Sequence, residues 1–176
     1  MEGKVAVFYC SASFDIDPKY TKAARDYVRA ACRCGYAISS GGTTKGTMKV
    51  VVDTARECGA PTKGVIPRFM DEVVYPELDE LIWTDTMAER KERLREDATV
   101  AVALPGGIGT LDEWFETLTL AKLGQFAGKV IAVNVDGFYD KLKELLDEYV
   151  EKGMLDRKAR DLALFVDSVE EFEALL

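Results

Sequence analysis

Apolar residues in this chain fall into short unbroken runs, separated by longer stretches where they recur every three or four positions. Ala98-Thr99-Val100-Ala101-Val102-Ala103 is the clearest run, and Lys4 to Cys10 is a second. Runs without polar alternation predict strands covered on both faces, as in the middle of a parallel sheet. Tyr36 to Ser39, Lys63 to Pro67, Leu81 to Trp83, Lys129 to Val135 and Leu162 to Val166 read as further strands. Between them the spacing turns helical. Pro18 to about Cys34 puts Tyr20, Ala23, Ala24, Tyr27, Val28 and Ala31 on one side, and Gly35 stops it. Helices also read from about Thr47 to Cys58, from Thr86 to Asp97 and from Trp114 to Gly124. Another runs from Phe138 to Lys152, with Leu142, Leu145, Leu146, Tyr149 and Val150 facing in. Ser168 caps a final helix, with Glu171 in the capping-box position. Arg68 to Asp79 is acidic and irregular and reads as a surface loop. The alternation predicts an α/β fold: one Rossmann-like domain over residues 1–176, built on a doubly wound parallel sheet.

Two turns in this pattern are rich in glycine. Gly41-Gly42-Thr43-Thr44-Lys45-Gly46-Thr47 follows the second strand, and Leu104-Pro105-Gly106-Gly107-Ile108-Gly109-Thr110-Leu111-Asp112-Glu113 follows the fifth. Each joins a strand to a helix. Glycine lets backbone approach a ligand closely, and a helix start offers free N–H groups and a positive dipole end. A phosphate seat fits such a turn, and so does a turn that needs glycine for geometry alone. Neither is a Walker A loop. In a dinucleotide fingerprint a third glycine would stand where Asp112 stands. Glu113 has two readings: the far side of a T-x-x-E capping box with Thr110 at the N-cap, or the first carboxylate facing whatever the turn holds. Ser11-Ala12-Ser13, after the first strand, is either a ligand-approach loop or an ordinary turn. The charged helix with Met87-Ala88-Glu89-Arg90-Lys91 reads as a solvated face with pairs such as Glu89–Arg93, or as a helix whose start faces a ligand.

Composition narrows the chemistry. The chain has 176 residues, 31 acidic against 23 basic, a net charge of −8, and no histidine. The acidic balance argues against a nucleic-acid or membrane-surface partner. Without histidine there is no Ser-His or Cys-His nucleophile pair, and most zinc or iron sites are excluded, so no metal is expected. Carboxylates, Arg, Lys, hydroxyls and backbone amides must carry any reaction. No apolar run approaches the roughly 20 residues of a membrane span. Met1-Glu2-Gly3-Lys4 makes a poor start for a secretion signal. Cys10, Cys32, Cys34 and Cys58 form no C-x-x-C motif, which suits reduced thiols in a cytoplasmic protein.

Pro105-Gly106-Gly107-Ile108-Gly109-Thr110-Leu111-Asp112-Glu113 resembles the P-G-G-x-G-T-x-x-E signature of the Lonely-guy (LOG) family of cytokinin riboside 5′-monophosphate phosphoribohydrolases. Met87 to Lys91 is similar to that family's M-H-x-R-K, the upstream turn to its G-G-G-x-x-G-x-M-G, and Asn134 to Tyr139 to a third run. Thr43, Lys49 and Ala88 depart from these patterns. The resemblance implies hydrolysis of the N-glycosidic bond of a nucleoside 5′-monophosphate, AMP or an N6-substituted AMP, to free base and ribose 5-phosphate. It implies Glu113 and Arg90 as catalytic residues, with Lys91 adding positive potential. It implies amides from Gly106 through Gly107, Ile108 and Gly109 to Thr110, and the hydroxyls of Thr110 and Thr119, holding phosphate and ribose. Ser11, Gly42, Gly46 and Met87 would complete the substrate contacts. No cofactor is implied: family members have been labelled lysine decarboxylases, but a pyridoxal enzyme fits poorly with a chain that has no histidine to stack on the ring. A homodimer with its sites near the subunit contact is implied, with Trp114, Phe115 and Phe126 as candidate contacts. The alternative is a non-catalytic carrier of a phosphate-bearing ligand, like the molybdenum-cofactor carrier proteins. The joint presence of Arg90 and Glu113 argues against it. Nothing in the sequence points to a nucleotide-sensing subunit.

Overall fold

The structure, a computed structural model, describes residues 3–176; Met1 and Glu2 of the opening stretch lie outside the described residues. Seven parallel strands form one sheet in the order β4-β3-β2-β1-β5-β6-β7. They are β1 Val5–Tyr9, β2 Ala37–Ser40, β3 Thr62–Pro67, β4 Glu80–Thr84, β5 Ala98–Ala103, β6 Lys129–Val133 and β7 Ala163–Val166. The helices are α1 Pro18–Arg33, α2 Gly46–Glu57, α3 Met87–Arg95, α4 Ile108–Lys122, α5 Asp140–Glu151, α6 Arg157–Asp161 and α7 Val169–Leu175. Among the described residues no helix is long and apolar enough to cross a membrane.

The unbroken apolar runs have the expected cause. Ala6 and Phe8 of β1 pack with α1, α2 and α7 on one face, while Val7 and Tyr9 pack with Leu94, Trp114 and Leu118 on the other. Both faces are covered, so polar alternation has no place in the central strands. Local signals fix the ends of the helices. Asp17 caps α1 by accepting the Lys19 N–H at 2.9 Å ahead of Pro18, and Gly35 leaves the helix with φ +80°. Ser168 accepts the Glu171 N–H at 3.1 Å, and Glu171 reaches back to the Asp167 N–H at 2.8 Å.

Several expectations need correction. α4 begins at Ile108 with Gly107 as N-cap, so Thr110 sits inside the first turn and the Thr110–Glu113 capping box does not form. The Glu89–Arg93 pair is replaced: Glu89 takes the Asp85 N–H at 2.9 Å, closing a cap with Thr86, and Arg93 pairs with Glu96 at 2.9 Å. Within α5 only Leu146 is fully buried, while Leu145 and Tyr149 stand in solvent. Leu142 and Leu146 join the core on the Trp114 face of the sheet, and the outer part of the apolar stripe is left uncovered. The acidic segment after β3 is a 3₁₀ turn, Arg68–Val73, folded back on the first glycine turn: Tyr75 donates to the Gly42 carbonyl at 2.9 Å. Helix α6 lies where no helix was expected.

The strand order carries the functional consequence. The chain runs outward from β1 to β4, then α3 returns it to β5 on the other side of β1. The carboxyl ends of β1 and β5 therefore flank the switch point, where doubly wound sheets hold ligands.

Candidate active site

At that switch point β1 leads into Cys10-Ser11-Ala12, β2 into Gly41, and β5 through Leu104-Pro105-Gly106-Gly107 into α4. These segments and the start of α3 enclose a cavity of about 270 Å³. A depression of about 520 Å³ at the opposite sheet edge is larger, but convergence of polar groups rather than size marks a site.

Arg90, one turn into α3, is 8% exposed. Its Nε donates to the Val65 carbonyl at 3.1 Å, and Nη1 to Glu113 Oε1 at 2.5 Å. The guanidinium fits only because residue 41 is glycine: a Cβ there would stand 2.5 Å from Nη2. Burial pushes the Glu113 carboxyl above its ordinary value, and the charge and hydrogen bond of Arg90 pull it back only in part. A carboxylate so placed is poised to accept a proton.

The start of α4 adjoins the pair, because Glu113 lies about one turn further along the same helix. A Cβ at Gly107 or Gly109 would meet nothing within 4 Å, so that stretch of backbone faces open space. Thr110 is 2% exposed, and its Oγ1 has no hydrogen-bond partner. A buried hydroxyl without a partner at a helix start is the kind of arrangement that suits an anion. Three of the chain's five methionines, Met48, Met70 and Met87, line the cavity with Phe8. Thioethers adapt to apolar groups of varied shape. Cys10, also in the wall, has its thiol pushed up to about 12 by burial and is not a nucleophile.

The cavity thus brings together Ser11, Met87, Arg90, Gly107, Gly109, Thr110 and Glu113 of the expected site. Gly42 instead packs on Gly64, where a Cβ would come within 2.7 Å of Cα, and Gly46 on the Ser11 and Ser13 carbonyls. Gly106 gives room to Thr110, whose Oγ1 would lie 2.1 Å from a Cβ. Ile108 points into solvent at 88% exposure. Lys91 does not add free positive charge: its amine is held by Asp112 at 3.1 Å and Glu116 at 2.5 Å. Thr119 is on the outer side of α4, donating to the Phe115 carbonyl at 2.8 Å. The sequence reading missed Phe8, Cys10, Gly41, Met48, Met70 and Asp112 as lining; of these, Gly41 had a signal in its glycine turn, while Ala12 lines the cavity from the loop offered for ligand approach. Thr43 also lines the cavity, whereas Lys49 is on the outer surface paired with Asp53 at 2.6 Å. Trp114, a candidate dimer contact, is fully buried in the core, and Phe115 and Phe126 pack against it.

A family model described as possible lysine decarboxylase matches residues 48–176. The chain is 34% identical over 168 residues to a cytokinin riboside 5′-monophosphate phosphoribohydrolase of Mycobacterium tuberculosis, covering 93% of this chain and 88% of that protein. A phosphoribohydrolase of the same name from Oryza sativa is 32% identical over 165 residues, covering 93% of this chain and 68% of that protein. Among solved structures, the molybdenum cofactor binding protein of Rippkaea orientalis superposes with a TM-score of 0.74 at 20% identity, covering 99% of this chain and 96% of that one. At that identity the likeness is one of fold.

Proposed function

The chain belongs to the Lonely-guy family, the one whose model is described as possible lysine decarboxylase, and from that premise we propose that it hydrolyses the N-glycosidic bond of nucleoside 5′-monophosphates. The observation that carries this reading is the buried Arg90–Glu113 pair sharing one cavity with the partnerless Thr110 hydroxyl at the start of α4. The 5′-phosphate sits on the amides at the start of α4 and on Thr110. Glu113 lies five residues along from Ile108, about 7.5 Å at 1.5 Å per residue, roughly the span of a ribose 5-phosphate. Its carboxylate stabilises positive charge growing at the anomeric carbon and takes a proton from the attacking water. The water oxygen bonds to that carbon as the bond to the base nitrogen breaks. The electron pair leaves with the base, which gains a proton. Arg90 keeps Glu113 oriented and offsets negative charge as it develops.

The methionine wall supports an apolar substituent on the base, and the relatives' names support a cytokinin riboside 5′-monophosphate as substrate; AMP itself is proposed alongside it. The residues do not fit pyridoxal phosphate, because that cofactor needs a lysine for its Schiff base and no lysine lines the cavity among the described residues. A carrier would not require a buried carboxylate–guanidinium pair, so the fold likeness to molybdenum cofactor proteins does not displace this reading. A homodimer belongs to it as well. Phe14, Phe69 and Ile108, at 69–88% exposure, stand on loops and a helix start at this sheet edge and supply apolar surface for a second copy.

Chromatography of products from AMP, N6-isopentenyl-AMP, GMP, CMP and adenosine tests the proposal. Free base and ribose 5-phosphate are expected from AMP and its N6-substituted form. Adenosine should react at least about a hundredfold less efficiently, since two hydrogen bonds to a charged group, at roughly 1.5–3 kcal/mol each, are lost. Equal cleavage of adenosine and AMP, or no base from any monophosphate, refutes it.

A further inference from the structure

The second glycine turn is held from beneath by a residue outside the cavity. The Leu104 N–H completes the sheet by donating to the Tyr9 carbonyl at 2.9 Å, but its carbonyl lies past the end of the β5–β6 ladder. Tyr139, 3% exposed, donates its hydroxyl to that carbonyl at 2.7 Å. Burial drives this phenol far above its ordinary value, and the adjacent Gly106 amide offsets part of the rise. The Tyr139 backbone is fixed in turn: its N–H donates to Asn134 Oδ1 at 2.7 Å. Asn134 Nδ2 donates to Asp140 at 2.9 Å and to Asp167 at 2.8 Å. A chain of hydrogen bonds therefore runs from the carboxyl ends of β6 and β7 to the first residue of the turn. Two residues on, Gly106 lies against Thr110 with no room for a Cβ, so a small shift of the turn moves the Thr110 hydroxyl and the amides beside it.

We propose that Tyr139 is a positioning residue for the anion seat: by pinning the Leu104 carbonyl it sets where the Pro105-Gly106-Gly107 turn presents the Gly107 amide and the Thr110 hydroxyl to a phosphate-bearing ligand. The proposal rests on the reading of that turn as the phosphate seat. It predicts a split in affinity along the substrate. The phosphate end depends on Tyr139, whereas the base end, on the methionine wall, does not.

Calorimetry and kinetics on Tyr139→Phe test it. Kd for ribose 5-phosphate and KM for AMP should rise about tenfold, the effect of weakening one hydrogen bond to a charged group. The Kd of adenine should stay unchanged and kcat should fall by less than about threefold. A merely structural role would weaken adenine and ribose 5-phosphate alike. That outcome, or an unchanged Kd for ribose 5-phosphate, overturns the proposal. If Tyr139→Phe does not fold, Asp167→Ala carries the test, since Asp167 is exposed and holds the far end of the chain. Ribose 5-phosphate should then weaken about two- to threefold with adenine unmoved, and equal affinities would overturn the idea. Wild-type protein that binds AMP without cleaving it refutes the hydrolase reading and leaves the ribose 5-phosphate comparison intact. Wild-type protein that binds no ribose 5-phosphate overturns the present proposal.

Discussion

At Gly42 and Gly46, in the turn after β2, a side chain would press into backbone 2.6–2.7 Å away, and at Gly41 into the Arg90 guanidinium. At Gly107 and Gly109, after β5, it would enter open space. Both turns link a parallel strand to a helix, and both carry three glycines. In the first, small residues are needed for what the protein itself packs there: the Ser11–Ser13 loop, the β3 backbone and the side chain of Arg90. In the second, only Gly106 is needed for internal fit, and at the other two a side chain would meet nothing. Glycine richness thus marks close approach without saying whether the approaching body belongs to the protein or to a ligand.

The largest expected effect tests whether the second turn is the chemical one. Glu113→Gln keeps a hydrogen-bond acceptor for Arg90 but cannot take a proton, and should lower turnover on the order of 10²–10⁴-fold. Turnover near wild type would reduce Glu113 to a packing partner. Next comes Gly46→Ala, which forces a side chain into φ +51° and within 2.6 Å of the Ser11 and Ser13 carbonyls. Urea melts should show a loss of about 2–4 kcal/mol, as for strain at a special backbone position. A wild-type midpoint would mean the first turn is not held by its packing. Gly109→Ala should behave in the opposite way. Stability should hold or rise by up to about 1 kcal/mol, because alanine is the better helix former. AMP affinity should fall about tenfold as a methyl group crowds the amides. Unchanged affinity would detach that amide from the seat.

The smallest effect depends on pH. Burial raises the Glu113 carboxyl, so the folded chain holds that proton more tightly than the unfolded chain does. The stability this contributes is present below the ordinary carboxylate value and is lost as pH rises through the raised one. Glutamine removes this dependence. The melting temperature of Glu113→Gln relative to wild type should therefore climb as pH rises above the ordinary glutamate value of about 4. A gap that stays flat would show that Arg90 fully compensates the burial.

The strands were legible because both faces of the sheet are covered, which leaves unbroken apolar runs such as Ala98 to Ala103. The ends of α1 and α7 were legible because Pro18, Gly35, Ser168 and Glu171 act locally. Thr110 and Glu113 misled for a reason of the same kind. The pattern T-x-x-E carries its local signal wherever it stands, but α4 starts two residues before Thr110, at Ile108, and Glu113 finds Arg90 instead. That partner is 23 positions away, and no local rule identifies it. Thr119 failed by geometry, since nine residues of helix carry it about 13 Å beyond Thr110. Phe8, Cys10, Met48 and Met70 look like ordinary core residues in the sequence. Only the convergence of five separate segments turns them into a wall.

The adjacency of β1 and β5 has a consequence for how the chain reaches this state. The Thr99 hydroxyl donates to the Val5 carbonyl across 94 positions, whereas β1 to β4 pair each with the next strand in sequence. Closing so long a loop costs entropy before any contact repays it, so the seam between the halves zips late. Arg90 rides on the element that crosses the seam and Glu113 on the first helix after it. A partly folded chain can own most of its secondary structure and still lack the Arg90–Glu113 pair.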